Sequence, residues 1–78
     1  MTIEEAFGLA VRGVRRHRRI SQTELAALVG IARQSVWELE HGRSGPHLST
    51  VYKLADALQV APDELIRRTT IAYRDQVR

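Results

Sequence analysis

Apolar residues recur at Phe7, Ala10, Val11 and Val14, the one-face spacing of an amphipathic helix. This periodicity predicts a first helix that runs on through Arg18, where Arg15, Arg16, His17 and Arg18 suit the negative pole of the helix macrodipole. Ser21-Gln22-Thr23-Glu24 then reads as a capping box, in which the Ser21 hydroxyl accepts the Glu24 backbone N–H and the Glu24 carboxylate accepts that of Ser21. A second helix therefore starts at Gln22 and turns Leu25, Ala26 and Val29 inward. It stops at Gly30, which takes the left-handed conformation of a helix end without a steric penalty.

A third short helix is predicted from Arg33 to His41, with Val36 and Leu39 inward and Gly42 as its stop. The loop Gly42–Pro46 is turn-forming by composition, and Leu48, Val51, Leu54, Ala55 and Leu58 form the stripe of a fourth helix. Ala61-Pro62-Asp63-Glu64 opens a fifth, since proline fits the first helical position and acids favour the first turn. The end of the chain is ambiguous: Ile66, Thr70, Tyr73 and Val77 fit one helical face, whereas Thr69, Ile71, Tyr73 and Val77 fit a strand. Residues 1–68 are read as one domain and 69–78 as a tail. Ile66, Ile71, Tyr73 and Val77 exceed what one small core can cover and are assigned to a dimer contact.

The 78 residues admit one compact domain, and 44% apolar content with regular spacing predicts that it is globular. There is no cysteine, so neither a disulfide nor a thiolate metal site is expected. The first residues are acidic and no apolar run approaches the roughly 20 residues of a membrane span. The protein is accordingly expected in the cytoplasm, without a membrane partner. Between Arg12 and Arg43 seven arginines stand against three glutamates, an excess of four positive charges, while the remaining residues sum to −1. A basic segment of this kind suits a polyanion, although a solvated basic face has the same composition.

The stretch Gln22 to His41, QTELAALVGIARQSVWELEH, meets the steric demands of a helix-turn-helix unit. Ala26 is small where two helices cross closely, Gly30 supplies the positive φ of the tight turn, and Leu25, Val29, Ile31, Val36 and Leu39 fill the angle between them. All seven fall in register.

With these residues the chain resembles the phage-repressor helix-turn-helix family of Cro, lambda-repressor and Xre type. The likeness runs from Phe7 to Leu65 and includes Gly8, Val11, Arg12, Val14 and Arg15, then Ser21-Gln22 and Glu24-Leu25-Ala26. It continues through Glu40-x-Gly42, Leu54-Ala55-x-Ala57-Leu58 and Asp63-Glu64-Leu65. The resemblance implies an all-α, five-helix domain that regulates transcription, acting as a repressor homodimer on an inverted repeat of duplex DNA. It implies a protein that is nucleoid-associated when bound to DNA, and no cofactor.

It also implies residue roles. Helix three would enter the major groove with Arg33, Gln34 and Trp37 projecting from it and Glu38 beside them as base readers. Arginine bonds guanine O6 and N7 in a bidentate way, and glutamine does the same with adenine N6 and N7. Gln22 would bond a phosphate and brace Gln34, and Ser35, His41, Arg43 and Arg19 would join it on the DNA backbone. Arg15 and Glu40 would pair beneath the motif. Trp37, set opposite the core face, is expected to bury nothing in the isolated domain. Three positions depart from the family pattern: Ala32 and His47 stand where a polar cap is usual, and Gln59 where glycine is.

His17, His41 and His47 lie on separate elements without motif spacing, so they read as surface residues and not as metal ligands. No Ser/His/Asp grouping, carboxylate pair or glycine-rich phosphate loop appears, so no enzyme is expected. Two alternatives stay open from sequence. One is an antitoxin that binds a toxin protein and autoregulates through this motif; the other is a protein-binding adaptor that keeps the fold and shows no salt-dependent DNA binding.

Overall fold

In a computed structural model, which describes residues 1–77 and side-chain surroundings as far as residue 75, the chain forms five α-helices and, among those residues, no strand. α1 spans Ile3–His17, α2 Gln22–Val29, α3 Arg33–Glu40, α4 Leu48–Leu58 and α5 Pro62–Val77. α1 starts four residues before the Phe7 stripe, because Thr2 and Glu5 form a capping box of the same kind as Ser21 and Glu24. The two boxes satisfy N–H groups that would otherwise lack partners at the starts of α1 and α2. Ala32 and His47, at the N-caps of α3 and α4, make no side-chain cap bond.

The helices are stopped by left-handed residues. Gly30 (φ +83°) ends α2 and Gly42 (φ +69°) follows α3, but Arg19 (φ +59°) and Gln59 (φ +58°) hold the same conformation after α1 and α4 without being glycine. At α1 the bonds Ile20 N–H to Arg15 O and Arg19 N–H to Arg16 O close a Schellman motif. Arg18 then ties this end to that of α4, donating to the Gln59 backbone oxygen at 2.9 Å and to its side-chain oxygen at 3.3 Å.

The core gathers Phe7, Val11 and Val14 of α1, Leu25, Ala26 and Val29 of α2, Val36 and Leu39 of α3, Val51, Leu54, Ala55 and Leu58 of α4, and Leu65 of α5. Ile31 packs against its edge. Each fully buried leucine or valine stabilises the fold by about 1.5–3 kcal/mol. α5 lies along α1, while α1 and α2 both pack against α3, so the third helix is held from behind and its other side faces out. α5 is helical without interruption across residues 68 and 69, which resolves the helix-or-strand ambiguity of the tail. Thr69 within it is buried and donates its hydroxyl to the Leu65 carbonyl.

Gly8 fixes how closely α1 and α3 approach. A Cβ there would stand 2.4 Å from the Leu39 carbonyl oxygen and 2.6 Å from that of Glu40. Only a residue without one lets α1 rest on the end of α3.

Candidate nucleic-acid interface

α2 and α3 are joined by a turn that Gly30 makes possible, with Ala26 O accepting the N–H groups of both Gly30 and Ile31. Ala26, Leu25 and Val29 are buried against Val36 and Leu39, so the angle between the helices is fixed by side-chain packing. Helical spacing then places Gln34, Trp37, Glu38 and His41 on the arc of α3 away from that core, with Arg33 at its border.

Behind α3 lies a buried polar network. Arg15 Nε donates to Glu40 Oε2 at 2.6 Å and Arg15 Nη2 to Glu40 Oε1 at 3.0 Å, while Nη1 bonds the Ile20 carbonyl at 3.0 Å. Gln22 Nε2 donates to Glu40 Oε1 at 3.1 Å. The Glu40 side chain is fully buried, and among the described residues no buried side-chain polar atom is left without a partner. One carboxylate thus joins the end of α3 to α1 and to the first turn of α2. Gln22, expected to brace Gln34, is instead engaged by Glu40 and makes no bond to Gln34 among the described residues.

On the outward side Arg33 and Gln34 are exposed, and among the described residues neither side chain makes a hydrogen bond or ion pair. Ser35 and Glu38 are half-buried and line a shallow hollow of about 260 Å³ against Ser44, Pro46, His47 and Thr50. They therefore border the loop after α3, on the opposite flank from Trp37. Trp37 does not stand free. Its indole is half-buried and stacks on the His41 imidazole, with centroids 3.9 Å apart and planes 18° apart, and the Arg43 guanidinium carbon lies 5.3 Å from the ring centroid. The expectation that it buries nothing in the isolated domain overlooked its i,i+4 neighbour. Arg19 is exposed at the far end of α1.

The four residues assigned to a dimer contact do not form one patch. Ile66 lines a small apolar hollow with Ile3, Phe7, Pro46 and Val51, and Tyr73 falls two turns later on the same flank of α5. Ile71 lies on the other flank, in a groove against Leu9 and Gly13 of α1. The Val77 side chain lies outside the described residues. Leu48, expected to open the inward stripe of α4, is instead exposed, because it stands in the first turn, ahead of the part of the helix that meets the core; Tyr52, one turn on and not singled out by the sequence, is exposed beside it. Among the described residues no group of acidic, histidine or cysteine side chains could hold a metal, and no helix is long and apolar enough to cross a membrane.

This arrangement of α2, turn and α3 has a match in known proteins: a helix-turn-helix family model (HTH_3) fits residues 11–65. The chain belongs to this Xre and Cro-type family. It is 35% identical over 69 residues to an HTH-type transcriptional regulator of Sinorhizobium fredii, covering 88% of this chain and 90% of that one. It is 32% identical over 63 residues to the HTH-type transcriptional repressor RghR of Bacillus subtilis, spanning 80% of this chain but 47% of RghR. Among solved structures it resembles the restriction-modification controller protein C.AhdI of Aeromonas hydrophila, at 37% identity and a TM-score of 0.78, covering 80% of this chain and 94% of that one. The protein is a DNA-binding helix-turn-helix transcriptional regulator, and α3 is the recognition helix of its motif.

Proposed function

We propose that this regulator is a repressor that binds an inverted-repeat operator in duplex DNA as a homodimer, reading bases through Arg33 and Gln34. The observation that carries this is their freedom: both are exposed near the start of α3, and among the described residues neither side chain is bonded. An arginine fork and a glutamine amide so placed match guanine and adenine edges in the major groove. Glu38, on the loop flank, extends the readout to a cytosine amino group, and the uncovered edge of Trp37 supplies apolar contact to sugar or a thymine methyl. Ser35, His41, Arg43 and Arg19 are the phosphate contacts, joined by Gln22, whose amide nitrogen also bonds Glu40. The Arg15–Glu40 pair underneath anchors the end of α3 to α1.

Repression is supported by the name of RghR, and dimerisation by arithmetic. One small module covers only about 600–1,000 Å² of DNA-facing surface, and pairing two on a palindrome raises both affinity and specificity. The flank of α5 that carries Ile66 and Tyr73 is the surface proposed for the contact. Cutting the chain after Arg68 is a poor test of it, since the buried Thr69 and the packing of α5 on α1 would go too. Ile66→Glu is better, and a shift to monomer in sedimentation is the expected result.

Binding-site selection with Arg33→Ala and Gln34→Ala tests the reading directly. Each substitution should cost about 1–3 kcal/mol on the wild-type consensus and relax preference at one base pair, with non-specific binding nearly intact. A consensus that does not change removes that residue from base readout. A toxin protein that co-purifies with the wild-type chain would favour the antitoxin alternative.

A further inference from the structure

The last turn of α3 carries an arrangement of Trp37, His41 and Arg43 that goes beyond the contacts proposed for each side chain alone. The Trp37 carbonyl oxygen can only accept, so the His41 Nδ1 at 2.9 Å from it carries the proton, and the His41 backbone N–H bonds the same oxygen at 3.0 Å. The His41 ring thus packs flat against the Trp37 indole. Gly42 then turns the chain back, the Arg43 N–H reaches the Glu38 carbonyl at 2.9 Å, and the guanidinium arrives over the indole. Among the described residues Arg43 makes no ion pair.

We propose that Trp37, braced by His41, is a positioning residue that holds the Arg43 guanidinium ready for a DNA phosphate. This rests on the reading that α3 faces DNA. A carboxylate partner would also order the arginine, but it would neutralise the charge and occupy N–H donors. An aromatic face attracts the cation through its quadrupole and leaves both the charge and the in-plane donors for a ligand. An arginine free in solvent loses its rotamer freedom when it meets phosphate, and one already held over a ring has less to lose. The ligand chemistry is that of a phosphodiester backbone, whose contact is insensitive to sequence and sensitive to salt.

The test is a double-mutant cycle on the duplex that wild-type protein selects, with log K measured against log salt. Wild type, Arg43→Ala, Trp37→Leu, the double variant and Trp37→Phe are compared, each first checked by its melting curve. Arg43→Ala should lower affinity about tenfold and the salt slope by about one unit in the wild-type background. In the Trp37→Leu background the same change should cost about threefold or less, and Trp37→Phe should restore part of the coupling. Should Trp37→Leu fail to fold, His41→Ala replaces it, since that change removes the brace and keeps the indole. Equal losses in both backgrounds overturn the proposal. If Arg43→Ala has no effect while Arg33→Ala weakens binding, α3 still reads DNA and the positioning role alone is lost. Absence of salt-dependent binding by the wild type overturns both.

Discussion

Arg15 and Glu40, 25 residues apart in sequence, meet in a two-pronged ion pair that is closed to solvent on the Glu40 side. With Gln22 as its third member, the pair ties the end of α3 to α1 and to the first turn of α2, alongside the apolar packing that fixes the angle between α2 and α3. Buried pairs of this kind add little net stability, since desolvation offsets the attraction, but leaving one charge alone is costly. Glu40→Gln should therefore destabilise the protein by about 3–5 kcal/mol, a large part of the stability of a domain this small. Replacing both partners by methionine should cost less than either single change. Urea unfolding of the three variants measures this, and a double variant no better than Glu40→Gln would mean that the pair itself holds the fold together.

How much of this was legible in the sequence depends on the range of each interaction. The motif was readable because its demands are local: Ala26, Gly30 and the apolar plugs are set by one tight turn. Thr2 and Glu5 carried the same spacing as Ser21 and Glu24, yet the start of α1 was missed because Ile3 is exposed and adds nothing to the core stripe. The Trp37–His41 stack follows from i,i+4 spacing and could have been read. The Arg18–Gln59 bonds, 41 residues apart, carry no local signal. Nor could periodicity decide which flank of α5 meets α1, so Ile66 and Ile71 were grouped although the fold separates them.

Gly8 and Gly13 sit on one helix and should respond oppositely to alanine. At Gly8 the added Cβ meets backbone oxygens of α3 that cannot move without shifting the recognition helix, so a loss of about 1–3 kcal/mol is expected. At Gly13 the Cβ meets nothing within 4 Å, and the better helix former should add about 0.5–1 kcal/mol. Melting temperatures check both. A Gly8→Ala variant as stable as wild type would mean that α1 and α3 can part at no cost.

The Glu5 carboxyl is held below the ordinary glutamate range because the Thr2 backbone N–H donates to it at 2.7 Å, with the Thr2 side chain assisting. Folding therefore favours its charged form. The stability this adds is fully present above the ordinary glutamate value of about 4.3 and is lost as the pH falls through the lowered one. Glu5→Gln keeps the stem that packs on Gly42 and removes only the charge. The gap in melting temperature between wild type and Glu5→Gln should be widest near neutral pH and close as the pH falls below about 4. A gap that stays constant with pH would assign the difference to packing.

Arg19 and Gln59 present the same backbone problem with different side chains. Both follow a helix at a φ near +60°, where a residue with a Cβ pays about 1–2 kcal/mol and glycine does not. Allowing for the greater freedom of glycine in the unfolded chain, each change to glycine should add about 0.5–1 kcal/mol, or roughly 2–8 °C in melting temperature. Gln59→Gly still offers its backbone oxygen to Arg18 and forgoes only the longer 3.3 Å bond. Arg19 has no such bond within the described fold, so nothing in the stability of the domain accounts for an arginine there. Strained residues are kept where the side chain serves something else, and for Arg19 a phosphate contact is the use proposed. The two glycine variants should therefore agree in melting and part in binding. Arg19→Gly should reduce the salt slope of DNA affinity by about one unit, while Gln59→Gly should leave it unchanged. If both variants bind as wild type does, the charge at Arg19 belongs to the solvent; if both lose slope, the end of α1 reaches DNA through its backbone placement and not through the guanidinium.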